Sequence, residues 1–213
     1  MSIEVKICGL STAAAVSAAV EGGADLVGFV FFPPSPRAIA PVAAAELVHA
    51  VPARVGRVGL FVDAGDDLIA GTLAAVSLDM LQLHGGESPA RVAEVRRRFG
   101  LPVIKALPVA TADDLDRADR YVEVADRLLF DARPPAGANR PGGNACPFDW
   151  RLLHGRRIRR PWFLAGGLSA DNVAAAVRES GAAAVDVSSG VEDGPGVKSP
   201  EKIRIFLART ARL

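Results

Sequence analysis

A thiol, an imidazole, several carboxylates and several cations stand at or near the ends of short apolar runs in this sequence. Cys8 closes "KIC", His84 closes "MLQLH", Asp131 closes "RLLFD", and Asp186 interrupts "AVDVS". Lys6, Gln82, Asp63 and Lys105 lie within or at the end of similar runs, and Arg37 and Arg133 follow two of them. Thiols, imidazoles and carboxylates move protons near neutral pH when their surroundings are tuned, so this is an inventory for general acid/base chemistry. It contains no metal-ligand spacing, because Cys8 and Cys146 lie far apart and match neither a CxxC pattern nor a disulfide framework.

Each group has a bland reading beside the chemical one. An apolar strand finishing on a single carboxylate, as at Asp131, can keep that group partly desolvated and able to deliver a proton, or it can simply cap the next turn. Cys8 is either a small buried hydrophobe or a base, and the second role needs thiolate character that Lys6 or a helix N-terminus would supply. Cys146 lies in a Pro/Gly loop without an evident base and reads as inert. His84 is an acid or base candidate, or a histidine that satisfies local hydrogen bonds. Three prolines stiffen "FFPPSPRAI" ahead of Arg37, whose guanidinium suits bidentate capture of a carboxylate or plain surface exposure. His49 and His154 fall in helical segments and read as structural.

Two further stretches, "LAGGLSADN" and "DVSSGVEDGPG", leave apolar runs through glycines and serines. Glycine lets backbone N–H groups approach an anion closely, and hydroxyls add donors. Gly166 and Gly167 in the first, with Ser188, Ser189 and Gly190 in the second, therefore form a candidate phosphate cradle. Asp186, set in a strand that ought to be apolar, is a candidate to orient that cradle or a neighbouring catalytic group.

The elements that must carry these groups are legible. Eight short apolar runs begin at residues 4, 26, 57, 80, 103, 127, 162 and 184, continuous in apolarity as strands covered on both faces are. Segments such as "STAAAVSAAVEGG", "SPARVAEVRRRFG" and "SADNVAAAVRESG" between them carry apolar residues at helical spacing, opening on Ser and closing on Gly. Strand then helix, eight times over, predicts one closed (β/α)8 barrel, the TIM-barrel architecture, over residues 1–213. In such barrels the reacting groups stand at the C-terminal strand ends, and the loops after strands seven and eight frequently hold phosphate. The candidates above fall there.

Composition narrows the rest. With 25 Lys and Arg against 24 Asp and Glu, the formal net charge is +1, which creates no field for nucleic acid or an anionic membrane. No stretch approaches the roughly 18 apolar residues of a membrane span, and the N-terminus runs straight into strand-like sequence, so a cytoplasmic protein without membrane or nucleic-acid partners is expected. The basic run "HGRRIRRP" reads as a solvated surface. The alternation of polar and apolar residues leaves a monomer as the default.

Taken together, the motifs resemble the phosphoribosylanthranilate isomerase family of tryptophan biosynthesis. "KICGLS", "GADLVGFVFFPPSPRAI", "VGLFVDA", "LDMLQLHGGES", "FLAGGLSADNV" and "AVDVSSGVEDGPGVKSPEKI" are similar to its motifs, in order, from about residue 5 to residue 207. The resemblance implies a cofactor-free and metal-free Amadori rearrangement of a small phosphosugar–anthranilate substrate to 1-(2-carboxyphenylamino)-1-deoxyribulose 5-phosphate. It makes Cys8 the general base at C2′ and Asp131 the general acid at the ring oxygen. It also makes Arg37 the holder of the anthranilate carboxylate and assigns phosphate to Gly166, Gly167, Ser188, Ser189 and Gly190. Gln82, His84 and Asp186 are expected to border the substrate.

One stretch departs from that pattern. In "PGGNACPFDW" the family usually has a further glycine where Ala145 stands and a Thr or Ser near Asn144, so a positive φ at that point would strain the loop. Phe148, Asp149 and Trp150 match the start of the next helix. Two other readings compete: a phosphosugar epimerase, which would want a metal-binding or paired-aspartate set, and a binding protein on a barrel that no longer turns over.

Overall fold

In the computed structural model, which describes residues 2–133 and 147–213, eight parallel strands close into a barrel. They are β1 (Glu4–Cys8), β2 (Leu26–Val30), β3 (Gly56–Phe61), β4 (Met80–Leu83), β5 (Val103–Val109), β6 (Arg127–Ala132), β7 (Trp162–Leu164) and β8 (Ala184–Val187). Each pairs in parallel with the next, and β8 closes on β1 through the register Lys6 to Asp186. All eight runs identified in the sequence are strands, and the (β/α)8 expectation holds.

The helices are α1 (Ala13–Glu21), α2 (Pro41–Val48), α3 (Asp66–Ala75), α4 (Pro89–Phe99), α5 (Ala112–Asp116), α6 (Val173–Ser180) and α7 (Pro200–Thr210). Their limits follow local chemistry. Ser88 accepts a hydrogen bond from the Arg91 N–H at the start of α4, Pro89 sits in its first turn, and Gly100 ends it at φ 67°. In two places the caps are not those the sequence suggested: Thr12 rather than Ser11 caps α1, and Asn172 precedes α6.

The larger difference comes after β6. The segment opening at Asp149 forms only a four-residue 3-10 turn, Trp150–Leu153, where a full helix was expected. Asp149 accepts from the Arg151 N–H and caps that turn, and Gly155 at φ 69° stops it almost at once. The expectations for Asn144, Ala145 and Cys146 fall outside the described residues. A short antiparallel pair, β9 (Glu192–Gly194) and β10 (Val197–Lys198), was not expected at all.

Side chains alternate between the two faces of each strand. Outward residues build the main core against the helices, with Ile7, Phe29, Phe61, Leu81, Phe130 and Val185 among its members. Inward residues form a separate apolar plug at the lower end, from Leu26, Val58, Ile104, Leu129, Phe163 and Ala184. Further along β1, β2, β4 and β8 the inward positions change character, to Lys6, Gly28, Gln82 and Asp186. Above them stand Cys8, Val30 and Leu60, which pack on Phe32 and Val62. The barrel is thus apolar below and reactive at the mouth.

Candidate active site

The mouth holds an open cleft, about 680 Å³ counting the solvent space it opens onto. Cys8, Arg37, His84, Asp131, Gly166, Gly167, Asp186, Ser188 and Ser189 border it, so nine of the residues singled out in the sequence share one cavity. Gln82 and Gly190 do not line it. Val30, Leu60, Val62 and Phe32 supply an apolar wall on the side of β2 and β3.

Cys8 is 3 % exposed and carries a free thiol. Burial pushes this thiol above its ordinary range, Lys6 pulls it back down, and the Asp186 charge pushes it up again. Lys6 is fully buried, yet its Nζ meets Asp186 Oδ1 at 2.7 Å, and against the burial that would neutralise it the Asp186 charge is the main opposing influence, so it stays an ammonium. Gly28 on the neighbouring strand makes room for this group. A Cβ there would lie 3.0 Å from Cys8 Sγ and 3.2 Å from Lys6 Nζ. Asp186 is therefore the partner of Lys6, which explains a carboxylate in an otherwise apolar strand.

Asp131 stands across the cleft. Its Oδ1 accepts the N–H of Ala132 at 2.9 Å, and its Oδ2 lies 3.1 Å from His84 Nε2. On the far side of the ring, Gln82 Nε2 donates to His84 Nδ1 at 2.8 Å. Gln82 is fully buried and reaches the imidazole rather than the cleft, which is not the bordering position expected of it. The loop carrying His84 is clamped from behind: Glu87 accepts from the N–H groups of Asp63 and Gly85, and Lys105 Nζ donates to Glu87 Oε2 and to the Gly85 carbonyl, both at 2.7 Å. Lys105 thus serves the loop, not the cavity.

Arg37 is engaged in a way the sequence did not show. Its Nε and Nη2 donate to the two carboxylate oxygens of Glu192 at 2.7 and 2.8 Å, so the bidentate partner lies within the chain. Lys198 Nζ shares Glu192 at 2.5 Å and also donates to the Ser188 carbonyl at 2.9 Å. The Ser188 hydroxyl donates to the Cys8 carbonyl at 3.1 Å, which commits it, whereas the Ser189 hydroxyl has no hydrogen bond among the described residues. Burial pushes Glu192 up, but Arg37 and Lys198 outweigh it and hold the carboxyl below its usual range. Burial correspondingly depresses Lys198. Sequence reasoning missed Glu192 and Lys198; the alternation of charge in "VEDGPGVK" was their only trace.

The glycine turns behave as the sequence suggested in backbone terms. Gly166 and Gly167 adopt φ of 84° and 66°, and their N–H groups have no acceptor among the described residues. Asn172 fixes this turn by donating to the Gly167 carbonyl at 2.9 Å and accepting from the Ser169 N–H at 2.8 Å. Gly190 lies so close to the same turn that a Cβ would fall 1.8 Å from the Leu168 carbonyl oxygen. It allows the two loops to touch without lining the cleft.

Elsewhere the bland readings hold. His49 and His154 are exposed, and the basic run is tied to acidic neighbours through Arg156–Asp116 and Arg159–Glu123. Among the described residues no three His, Cys, Asp or Glu side chains group so as to hold a metal ion, and no helix is long and apolar enough to cross a membrane.

Comparison with known proteins gives a consistent result. A sequence model of N-(5'-phosphoribosyl)anthranilate isomerases matches residues 5–209. The N-(5'-phosphoribosyl)anthranilate isomerase of Paramagnetospirillum magneticum is 59% identical over 207 residues, covering 97% of this chain and 96% of its own. A crystal structure of phosphoribosyl anthranilate isomerase in complex with reduced 1-(o-carboxyphenylamino)-1-deoxyribulose 5-phosphate is similar with a TM-score of 0.85 at 37% identity, covering 99% of this chain and 100% of its own. A structure of mutually generated monomers of the dimeric enzyme from Thermotoga maritima has the same TM-score at 36% identity, with the same coverage of both chains.

Proposed function

The chain belongs to the N-(5'-phosphoribosyl)anthranilate isomerase family and is an isomerase of tryptophan biosynthesis, and from that premise we propose how its residues divide the reaction. The observation that carries the proposal is the placement of Cys8 and Asp131 on one cleft, with the Lys6–Asp186 pair beside the thiol and His84 beside the carboxylate. Asp131 gives its proton to the ring oxygen of the phosphoribosyl unit. The C1′–O bond breaks as the anthranilate nitrogen lends its lone pair, leaving a protonated Schiff base. The Cys8 thiolate then takes the C2′ proton, the C–H electron pair becomes the C1′=C2′ bond, and the nitrogen regains its lone pair. The enolamine becomes the ketone by moving its hydroxyl proton to C1′, and the proton taken by Cys8 returns to Asp131 through solvent, so acid and base are restored and no net proton is consumed.

Lys6 supports the base electrostatically, since its ammonium favours the thiolate that proton abstraction requires. The free N–H groups of Gly166 and Gly167, with the Ser189 hydroxyl, are the parts suited to the phosphate. Ser188 and Gly190 act indirectly, as the anchor of the Cys8 backbone and as the close contact between the two loops. Arg37 keeps Nη1 for the anthranilate carboxylate while Glu192 fixes the rest of its fork. Asp186 borders the substrate only as the counter-ion of Lys6.

A free thiol as base is kept reduced in the cytoplasm, which supports that compartment. A monomer is supported by the exposed large apolar side chains, Val42, Leu68, Val197, Ile205 and Leu213, being few and spread over four elements and the C-terminal end. Light scattering that gives twice the chain mass would overturn that part. Turnover of phosphoribosylanthranilate followed by fluorescence tests the roles: Cys8→Ser and Asp131→Asn should each lower kcat by a factor on the order of 100 or more with the fold intact. Near-normal turnover by both variants would refute the assignment.

A further inference from the structure

We propose that Gln82 is a positioning residue that holds His84 in the tautomer with its proton on Nε2, so that the imidazole stabilises the carboxylate Asp131 becomes when it gives up its proton. The inference rests on the role of Asp131 as acid.

The geometry leaves little freedom. An amide N–H can donate but not accept, so with Gln82 Nε2 at 2.8 Å, Nδ1 must present its lone pair. The proton of the neutral ring then sits on Nε2, 3.1 Å from Asp131 Oδ2. The backbone cannot drift, because the His84 N–H donates to the Phe61 carbonyl at 2.8 Å and the next residues are locked by Glu87 and Lys105. What remains variable at His84 is which nitrogen carries the proton.

That choice matters for the acid. With Nε2 protonated, two N–H groups, from His84 and Ala132, face the two oxygens on which negative charge grows as the proton leaves. They are aimed before the reaction and need not move, the arrangement that lowers a barrier most. In the other tautomer Nε2 would offer a lone pair. The acidic proton of Asp131 would then bind the imidazole instead of the ring oxygen of the substrate.

A second observation separates this from a packing role. Gln82 is fully buried, does not line the cleft, and among the described residues its Oε1 has no hydrogen-bond partner. A glutamine placed for stability alone would not leave a buried acceptor unpaired, because an apolar side chain of similar size avoids that penalty. The amide is kept for what its N–H does to the ring.

The test uses ring 15N chemical shifts of His84 in the full chain together with kinetics. Wild type should show a protonated Nε2 and a bare Nδ1. Gln82→Met should shift the ring toward the Nδ1–H form and lower kcat on the order of 10- to 100-fold, with little change in KM and no loss of thermal stability. Gln82→Leu, which likewise removes the amide donor, should give a similar loss of kcat and keeps the test open if the methionine variant folds poorly. A bare Nε2 in wild type, or wild-type kcat in either folded variant, overturns the proposal. If instead Asp131→Asn retains turnover, the acid assignment fails while the tautomer result still stands by itself.

Discussion

The Lys6 ammonium and the Asp186 carboxylate meet at 2.7 Å inside the barrel, and the Cys8 thiol occupies the next inward position above Lys6 on the same strand. This one contact ties β1 to β8 at the closing seam and places a fixed positive charge under the group proposed as base. It also bears on how the thiol responds to pH. Burial, the largest influence, favours the neutral form, and Lys6 opposes it without fully offsetting it.

The first expectation concerns the resting enzyme. With its thiol above the ordinary cysteine range, Cys8 should be alkylated by iodoacetamide more slowly than an exposed thiol at neutral pH, at a rate that climbs on the alkaline side. Turnover should climb over the same range, because the base works as thiolate. The linkage runs with it: both Cys8 and Lys6 are raised by folding, so their stabilisation is complete below the unfolded-state values and is lost as pH rises through the folded ones. Alkylation complete within seconds at neutral pH would contradict this.

Replacing Lys6 isolates the charge. Lys6→Met removes the ammonium and strands Asp186, a buried carboxylate, at a cost of about 3–5 kcal/mol in urea unfolding. The same change should move the onset of Cys8 alkylation to still higher pH. Pairing it with Asp186→Leu should recover most of the stability, because an apolar pair avoids desolvating two charges. Catalysis should not return, and a double variant with wild-type kcat would show that Lys6 has no electrostatic role at the thiol.

Glu192 governs the acid side. Arg37 and Lys198 hold its carboxyl below the usual range despite burial, so its stabilising contribution is present above ordinary carboxylate values and disappears as pH falls through its lowered one. Glu192→Gln leaves two buried cations without a counter-charge and should cost about 3–5 kcal/mol, measured by denaturant titration near neutral pH. Substrate affinity should weaken as well, since the freed Arg37 fork loses its fixed direction. Unchanged KM together with unchanged stability would show that the Glu192 pairs are incidental.

The difference between Glu192 and Cys8 shows what can be read from the chain alone. Cys8, His84, Asp131 and Asp186 were legible because each closes or interrupts an apolar strand, and a period of two residues then fixes which side of the barrel it faces. Gly166 and Gly167 were legible because a glycine pair after a strand has few uses. Glu192 and Lys198 were not, because they reach the site from the β9–β10 hairpin, whose two short strands carry no periodic signal. Gln82 was legible as a position but not as a role: whether it meets substrate or His84 depends on how deep the β4 side chain sits. The short 3-10 turn at Trp150–Leu153, where a helix was expected, has a similar cause, since Gly155 halts a segment whose start looks helical.

The last expectation concerns the phosphate cradle, through a residue that never touches the cleft. Gly190 has an ordinary φ, yet any Cβ would fall 1.8 Å from the Leu168 carbonyl oxygen and 2.9 Å from the carbonyl carbon. Both are backbone atoms, so no side-chain rotation relieves the clash. Gly190→Ala must separate the turn after β8 from the turn after β7. If the N–H groups of Gly166 and Gly167 and the Ser189 hydroxyl act together on one anion, parting them should raise KM by about 10-fold, some 1.4 kcal/mol of binding, and weaken inhibition by inorganic phosphate in parallel. Gly194→Ala is the control, since a Cβ there meets nothing within 4 Å and should leave both constants unchanged. Were Gly190→Ala to fold normally and bind phosphate as tightly as wild type, the two loops could not be acting as a single cradle.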